Sequence, residues 1–175
     1  MNMFPQNTLR SGGFTLLELI LVMLILCTVL GMSGPSLKGF FAMRQLEDTG
    51  ARIISLMEFA RTQAVCEGRV YRFNVDLIER IYWLTVLDKD DFEDLGTDWG
   101  REFLIPDDYT LQVRDFLMDG MTYYVEFNGT GRMRPGSLEL SGPKGDTLNI
   151  VCRSATERFM VIDDREMTDY EAGRN

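Results

Sequence analysis

The chain is expected to fold as α+β: a long N-terminal helix, its first half crossing a membrane, packed against antiparallel β-sheets. Three observations carry this expectation. Phe14–Gly34 is a nearly unbroken apolar run whose only polar side chains are Thr15, Glu18, Thr28 and Ser33. From Arg52 onward Ile53, Ile54, Met57, Ala60 and Ala64 recur at helical spacing, which marks one buried face. Beyond Gly68 the pattern switches to alternation broken by turn residues. With 175 residues, 45% hydrophobic and 26% charged, the chain fits one folded domain plus an appendage and is not a disordered polymer.

Taken in order, Met1–Gly13 is short and polar and ends in Gly12-Gly13, which offer no side chain to obstruct a protease. Arg10 marks that side as cytoplasmic. As a helix, Phe14–Gly34 spans about 30 Å, the thickness of a bilayer core. No A-x-A cleavage site follows it, and Cys27 is preceded by Leu26 where lipoprotein processing needs a small residue. Glu18 is out of place in lipid, where a bare carboxylate costs a few kcal/mol. No Lys or Arg lies between Phe14 and Leu37, so its one candidate cation is a new amino terminus cut just before Phe14.

The helix is expected to continue past a bend at Pro35, loosened at Gly39 and Gly50, and to stop at Gly68 after about 80 Å. Strands are expected over Arg69–Asp76, Arg80–Leu87, Glu102–Ile105, Tyr109–Asp115, Tyr123–Asn128, Ser137–Ser141, Thr147–Cys152 and Arg158–Ile162. Short strands at such close spacing imply antiparallel sheets. The acidic stretch Asp88–Asp98 reads as a charged surface loop, with Trp99 and Phe103 pinning it to the core. The polar end, Asp163–Asn175, reads as frayed.

Composition excludes several functions. There is no histidine, which removes Ser-His-Asp and Cys-His catalysis and His-bearing zinc sites. Cys27, Cys66 and Cys152 form no C-x-x-C pair. There is no G-x-S-x-G elbow and no phosphate loop, so no enzyme activity and no cofactor are expected. The net charge of −9 argues against a chain whose main work is holding nucleic acid. An EF-hand beginning at Asp88 would need an oxygen ligand at Phe92, glycine at Glu93 and glutamate at Trp99, so no metal site is assigned there, although a looser calcium loop stays open.

Gly13-Phe14-Thr15-Leu16-Leu17-Glu18, followed by the apolar run, resembles the cleavage and methylation motif of type IV pilins and type II secretion pseudopilins. The resemblance implies a pilin-like lollipop fold, cutting between Gly13 and Phe14 by a prepilin peptidase, and N-methylation of Phe14. Pro35 falls where these proteins often carry a helix-bending proline. Leu56–Val65 followed by Gly68-Arg69-Val70, and Val125–Arg132, are similar to the minor pseudopilin H family, which is related to minor type IV pilins. Four regions follow: a cleaved leader 1–13, a transmembrane and filament-core segment 14–36, an amphipathic helical segment 37–68, and a periplasmic β-rich domain 69–175.

The resemblance further implies a low-copy structural subunit of a type II secretion pseudopilus, anchored once in the bacterial inner membrane. Its partners would be the peptidase, other major and minor pseudopilins, the inner-membrane assembly platform and membrane lipid. Glu18 would neutralise the terminal ammonium of a neighbouring subunit and so set its stagger. The alternative is a minor type IV pilus subunit that takes up DNA. Arg132, Arg134 and Arg158 are the candidate phosphate contacts, but loss of Arg10 with the leader leaves seventeen basic side chains against twenty-seven acidic. In a periplasmic domain Cys66 and Cys152 are either a disulfide or two small apolar residues.

Overall fold

The computed structural model describes residues 14–173, and the side chains of all of these except 32–40 and 42. The chain divides into two compact units, Met1–Gly39 and Phe40–Asn175. The helix α1 (Leu16–Glu67) contributes to both. The helical assignment runs through Pro35, whose side chain lies outside those described.

In the first unit α1 opens with Thr15 as its cap. The Thr15 hydroxyl accepts from the Glu18 amide at 3.3 Å, and the Thr15 carbonyl accepts from the Leu19 amide at 3.2 Å. Such a cap satisfies donors that the first turn leaves unpaired. The following apolar side chains are exposed on every face, from Leu16 at 77% to Leu30 at 68%. Among the described residues no helix is long and apolar enough to cross a membrane. The described side chains of this stretch stop at Gly31, whereas the apolar run in the sequence continues to Gly34.

The second unit holds two antiparallel sheets. Its strands are β1 (Tyr71–Asp76), β2 (Ile81–Asp88), β3 (Asp91–Asp94), β4 (Phe103–Leu104), β5 (Thr110–Arg114), β6 (Leu117–Asp119), β7 (Thr122–Phe127), β8 (Gly136–Ser141), β9 (Thr147–Cys152) and β10 (Met160–Ile162). The first sheet runs β3-β2-β1-β7-β6, with β4 also pairing β2, and the second runs β10-β9-β8-β5. In the first, Phe73 pairs with Leu84 on one side and Val125 on the other, so one face of three strands is apolar in register.

That face and the inner residues of the second sheet, Leu138, Leu140 and Ile150, close on the buried stripe of α1 formed by Leu46, Ile53, Leu56, Met57, Ala60 and Ala64. The helix approaches closely at Gly50, where a Cβ would run into the Leu148 side chain. Gly68 ends the helix in the left-handed conformation, φ +67°, as its position just past the amphipathic stripe predicts.

Three expectations are corrected. The acidic stretch is not a loop throughout: Asp91–Asp94 forms β3, in a hairpin with β2 that pairs Leu87 with Phe92. A short strand, β6, precedes Thr122. Among the described residues the polar end is not frayed, because Asp164–Ala172 forms helix α2. Asp163 caps α2 by accepting from the Glu166 amide at 2.8 Å, and Met167 is buried against Val151 and Ile162. The Asp164 carboxylate accepts from Asn149 at 3.0 Å and Thr147 at 3.2 Å, and Glu171 pairs with Arg114.

Candidate functional site

Gly13 lies outside the described residues. Phe14 is 81% exposed, immediately before the cap, and Glu18 is exposed in the first turn of α1. Glu18 occupies the third helical position after Thr15, the place where a carboxylate faces the positive end of the helix dipole. It is the one charged side chain from Phe14 to Gly31. Thr28 returns its hydroxyl to the Ile25 carbonyl at 2.8 Å, so this polar group is satisfied inside the helix. What the segment presents is a surface apolar all round with a single acid near its beginning. A helix of this kind is stable only where lipid or other helices cover it.

The three arginines singled out in the sequence do not form one cluster. Arg132 and Arg134 are exposed and line a shallow groove of about 230 Å³ with Leu117, Glu126 and Asn128. The turn that carries them is ordered by Asn128, whose side-chain oxygen accepts from the Thr130 amide, the Thr130 hydroxyl and the Arg132 amide. Arg158 instead points its Nε at Glu58 of α1, 4.0 Å away. Glu126 in the first groove is itself engaged by Arg72 at 2.9 Å.

The Cys66–Cys152 bridge is not formed. Among the described residues all three cysteines are free; Cys66 is exposed on the last turn of α1 and Cys152 is buried on β9. The Cys152 thiol donates to the Ser154 carbonyl at 3.1 Å, and burial pushes its pKa up, which disfavours the reactive thiolate. The acidic side chains of the β2–β3 hairpin do not converge, and among the described residues no group of three His, Cys, Asp or Glu is arranged to hold a metal ion.

One surface feature had no clear signal in the sequence. Trp99 stacks on Phe59 of α1, ring centres 4.6 Å apart, and Phe103 stacks on Tyr82 at 5.5 Å, so both pin their loop to the core as expected. Arg52 from α1 and Arg101 from the loop both sit over the Phe103 ring, at 5.5 Å and 4.9 Å. The spacing of α1 places Arg52 on a wet face, but only the fold brings Arg101 beside it.

A family model described as "GspH: Type II transport protein GspH" matches residues 49–156, which cover the amphipathic end of α1 and nearly all of the two sheets. No curated protein matches this chain. Among solved structures, the minor pseudopilin EpsH from the type 2 secretion system of Vibrio cholerae is similar at a TM-score of 0.54 and 10% identity, over 69% of this chain and 95% of that chain. A likeness at that identity is one of fold: an N-terminal helix on antiparallel sheets. With more than half of its residues matched by the family model, the chain belongs to the GspH family of type II transport proteins.

Proposed function

We propose that the chain is a minor pseudopilin, a structural subunit of a type II secretion pseudopilus. The observation that carries this reading is the family match over residues 49–156, joined in the same chain to the Gly13-Phe14-Thr15-Leu16-Leu17-Glu18 motif. In this reading a prepilin peptidase cuts between Gly13 and Phe14 and the new Phe14 amine is methylated. Residues 14–36 then anchor the chain in the bacterial inner membrane, with the β-rich domain in the periplasm. The apolar run Phe14–Gly34 and its exposure on all sides of the helix support the anchor. Pro35 would bend the helix below the domain.

Assembly follows from charge. In lipid or among packed helices an unpaired carboxylate and an unpaired ammonium are each costly, so contact between Glu18 of one subunit and the Phe14 amine of another favours one stagger over the rest. The partners are other major and minor pseudopilins and the inner-membrane assembly platform. The subunit's work is structural and consumes no substrate of its own.

Two measurements test this. Mass spectrometry of the protein extracted from membranes should find a mature chain beginning at methylated Phe14. A Glu18→Leu variant should insert and be processed normally yet co-purify poorly with the other pseudopilins. A chain still beginning at Met1 in cells with an active peptidase, or normal incorporation of Glu18→Leu, would remove the assembly mechanism.

A further inference from the structure

Arg52 and Arg101 are exposed, and among the described residues neither has a carboxylate within ion-pair distance, in a chain of net charge −9. Because both guanidiniums lie within 5.5 Å of one ring centre, they are at most about 10 Å apart, no more than a Debye length at 0.1 M salt. Two like charges within that range repel each other, less so as salt screens them. The negative face of the Phe103 ring attracts each of them and fixes where they stand.

Between them runs an open groove of about 510 Å³. Ala51, Ser55 and Leu56 of α1 form one side, and Trp99, 44% exposed, forms part of the other. Asp98 also lines the groove without pairing with either arginine. The lining thus combines apolar and aromatic surface with the Ser55 hydroxyl, and its charged side chains are two cations, both over the Phe103 ring, against the one acid Asp98.

We propose that this groove receives an acidic segment of a partner protein, with a carboxylate seated between Arg52 and Arg101 and an adjoining aromatic or apolar side chain lying against Trp99. A carboxylate there would relieve the repulsion of the two guanidiniums, each of which can donate two parallel hydrogen bonds to it. The apolar neighbour would cover ring surface that water now wets. A neutral segment would leave both cations unmatched, and a basic one would add to the repulsion, so charge selects the partner class.

The test uses the full chain in neutral detergent micelles. The probe is a fluorescently labelled, end-blocked synthetic peptide of alternating glutamate and tryptophan, with a glutamine-for-glutamate copy as its control. The acidic peptide should bind saturably and weaken as salt rises, and the glutamine copy should not bind. The Arg52→Gln/Arg101→Gln double variant, two surface changes, should bind about tenfold more weakly or not at all. Ala51→Trp, which fills the groove and leaves both arginines in place, should also block binding. Equal binding of both peptides, unchanged affinity in the double variant, or no saturable binding by the wild-type chain would overturn the assignment. Displacement of the peptide by short-chain phosphatidylglycerol, kept below its micellar concentration, would overturn it too, by reassigning the cations to a lipid phosphate.

Discussion

The Arg72 guanidinium lies 3.5 Å from the centre of the Phe92 ring, joining β1 to a strand two places away across the sheet. The same group is 4.1 Å from the Tyr124 ring on β7, pairs with Glu126 at 2.9 Å and approaches Asp119 of β6 at 3.7 Å. One half-buried side chain on β1 therefore touches residues of β3, β6 and β7. Phe92 is the apolar member of a four-residue edge strand that otherwise carries only acids, so its contact with Arg72 adds a side-chain hold to the backbone pairing of that strand with β2.

Replacing Arg72 by methionine keeps the bulk but removes the charge and its planar stacking. We expect a loss of about 2 kcal/mol in stability, from two cation–π contacts and a partly shielded ion pair. Arg72→Lys should recover little of it, because an ammonium cannot lie flat between two rings while pairing with Glu126. Hydrogen exchange should locate the damage in β3 before β1 or β7. Equal protection of β3 in wild type and Arg72→Met would refute this.

The same pair explains why part of the sheet was illegible in the sequence. Asp91-Phe92-Glu93-Asp94 has poor strand propensity; it is a strand through its hairpin pairing with β2 and the contact of Phe92 with Arg72, some twenty residues earlier, neither of which an alternating apolar pattern announces. The central strands were legible because Phe73, Leu84 and Val125 obey the two-residue period that burial imposes. Helix α2 was missed for a different reason: its one buried apolar side chain is Met167, too little for a periodic pattern. Its start signal was nonetheless present, Asp163 followed three residues later by Glu166. For the candidate site, Phe14 and Glu18 stand out because a charge in an apolar run needs no tertiary context. The groove around Arg52 and Arg101 does need it, since their residues come together only when the loop packs on α1.

Tyr71 makes stability depend on alkaline pH. Burial, then the hydrogen bond its hydroxyl donates to Glu67 at 2.8 Å, push its pKa from 10.0 up to about 12. Below pH 10 both folded and unfolded chains hold the proton, and this contribution is intact. Between pH 10 and 12 the unfolded chain releases the proton first, so stability falls as pH rises, by on the order of 2–3 kcal/mol. Tyr71→Phe should flatten that part of the profile, measured as denaturant midpoint against pH. At neutral pH it should cost only about 1 kcal/mol for the lost hydrogen bond. Tyr82, pushed to about 12 by burial, and Tyr109, also raised chiefly by burial, contribute to the alkaline loss that remains.

Met167 anchors α2. A nine-residue helix is too short to persist alone in water, so its order comes from this contact, from the Asp164 bonds to β9 and from the Glu171–Arg114 pair. Met167→Ala should cost about 2 kcal/mol, the low end for a buried methionine because the site is near the surface. The effect should be local. Limited proteolysis should cut first within 163–173 while the near-ultraviolet signal of the sheets stays unchanged. Simultaneous loss of both would mean that α2 and the sheets unfold as one unit.

Gly68 and Gly129 meet where α1 ends, and they should respond to a methyl group in different ways. At Gly68 a Cβ has nothing within 4 Å, but φ is +67°, so alanine there brings backbone strain alone, about 1 kcal/mol. At Gly129 a Cβ would sit 3.1 Å from the Gly68 Cα and carbonyl carbon. Main-chain atoms cannot swing aside as a side chain can, so Gly129→Ala must push the turn off the helix end, at about 1–3 kcal/mol. The two sites touch, so their costs should not add: once Gly129→Ala has moved the turn, Gly68 is freer to leave its left-handed conformation and Gly68→Ala should cost less. A double-mutant cycle on chemical unfolding measures this. Strict additivity would show that the turn and the helix end relax independently despite their contact.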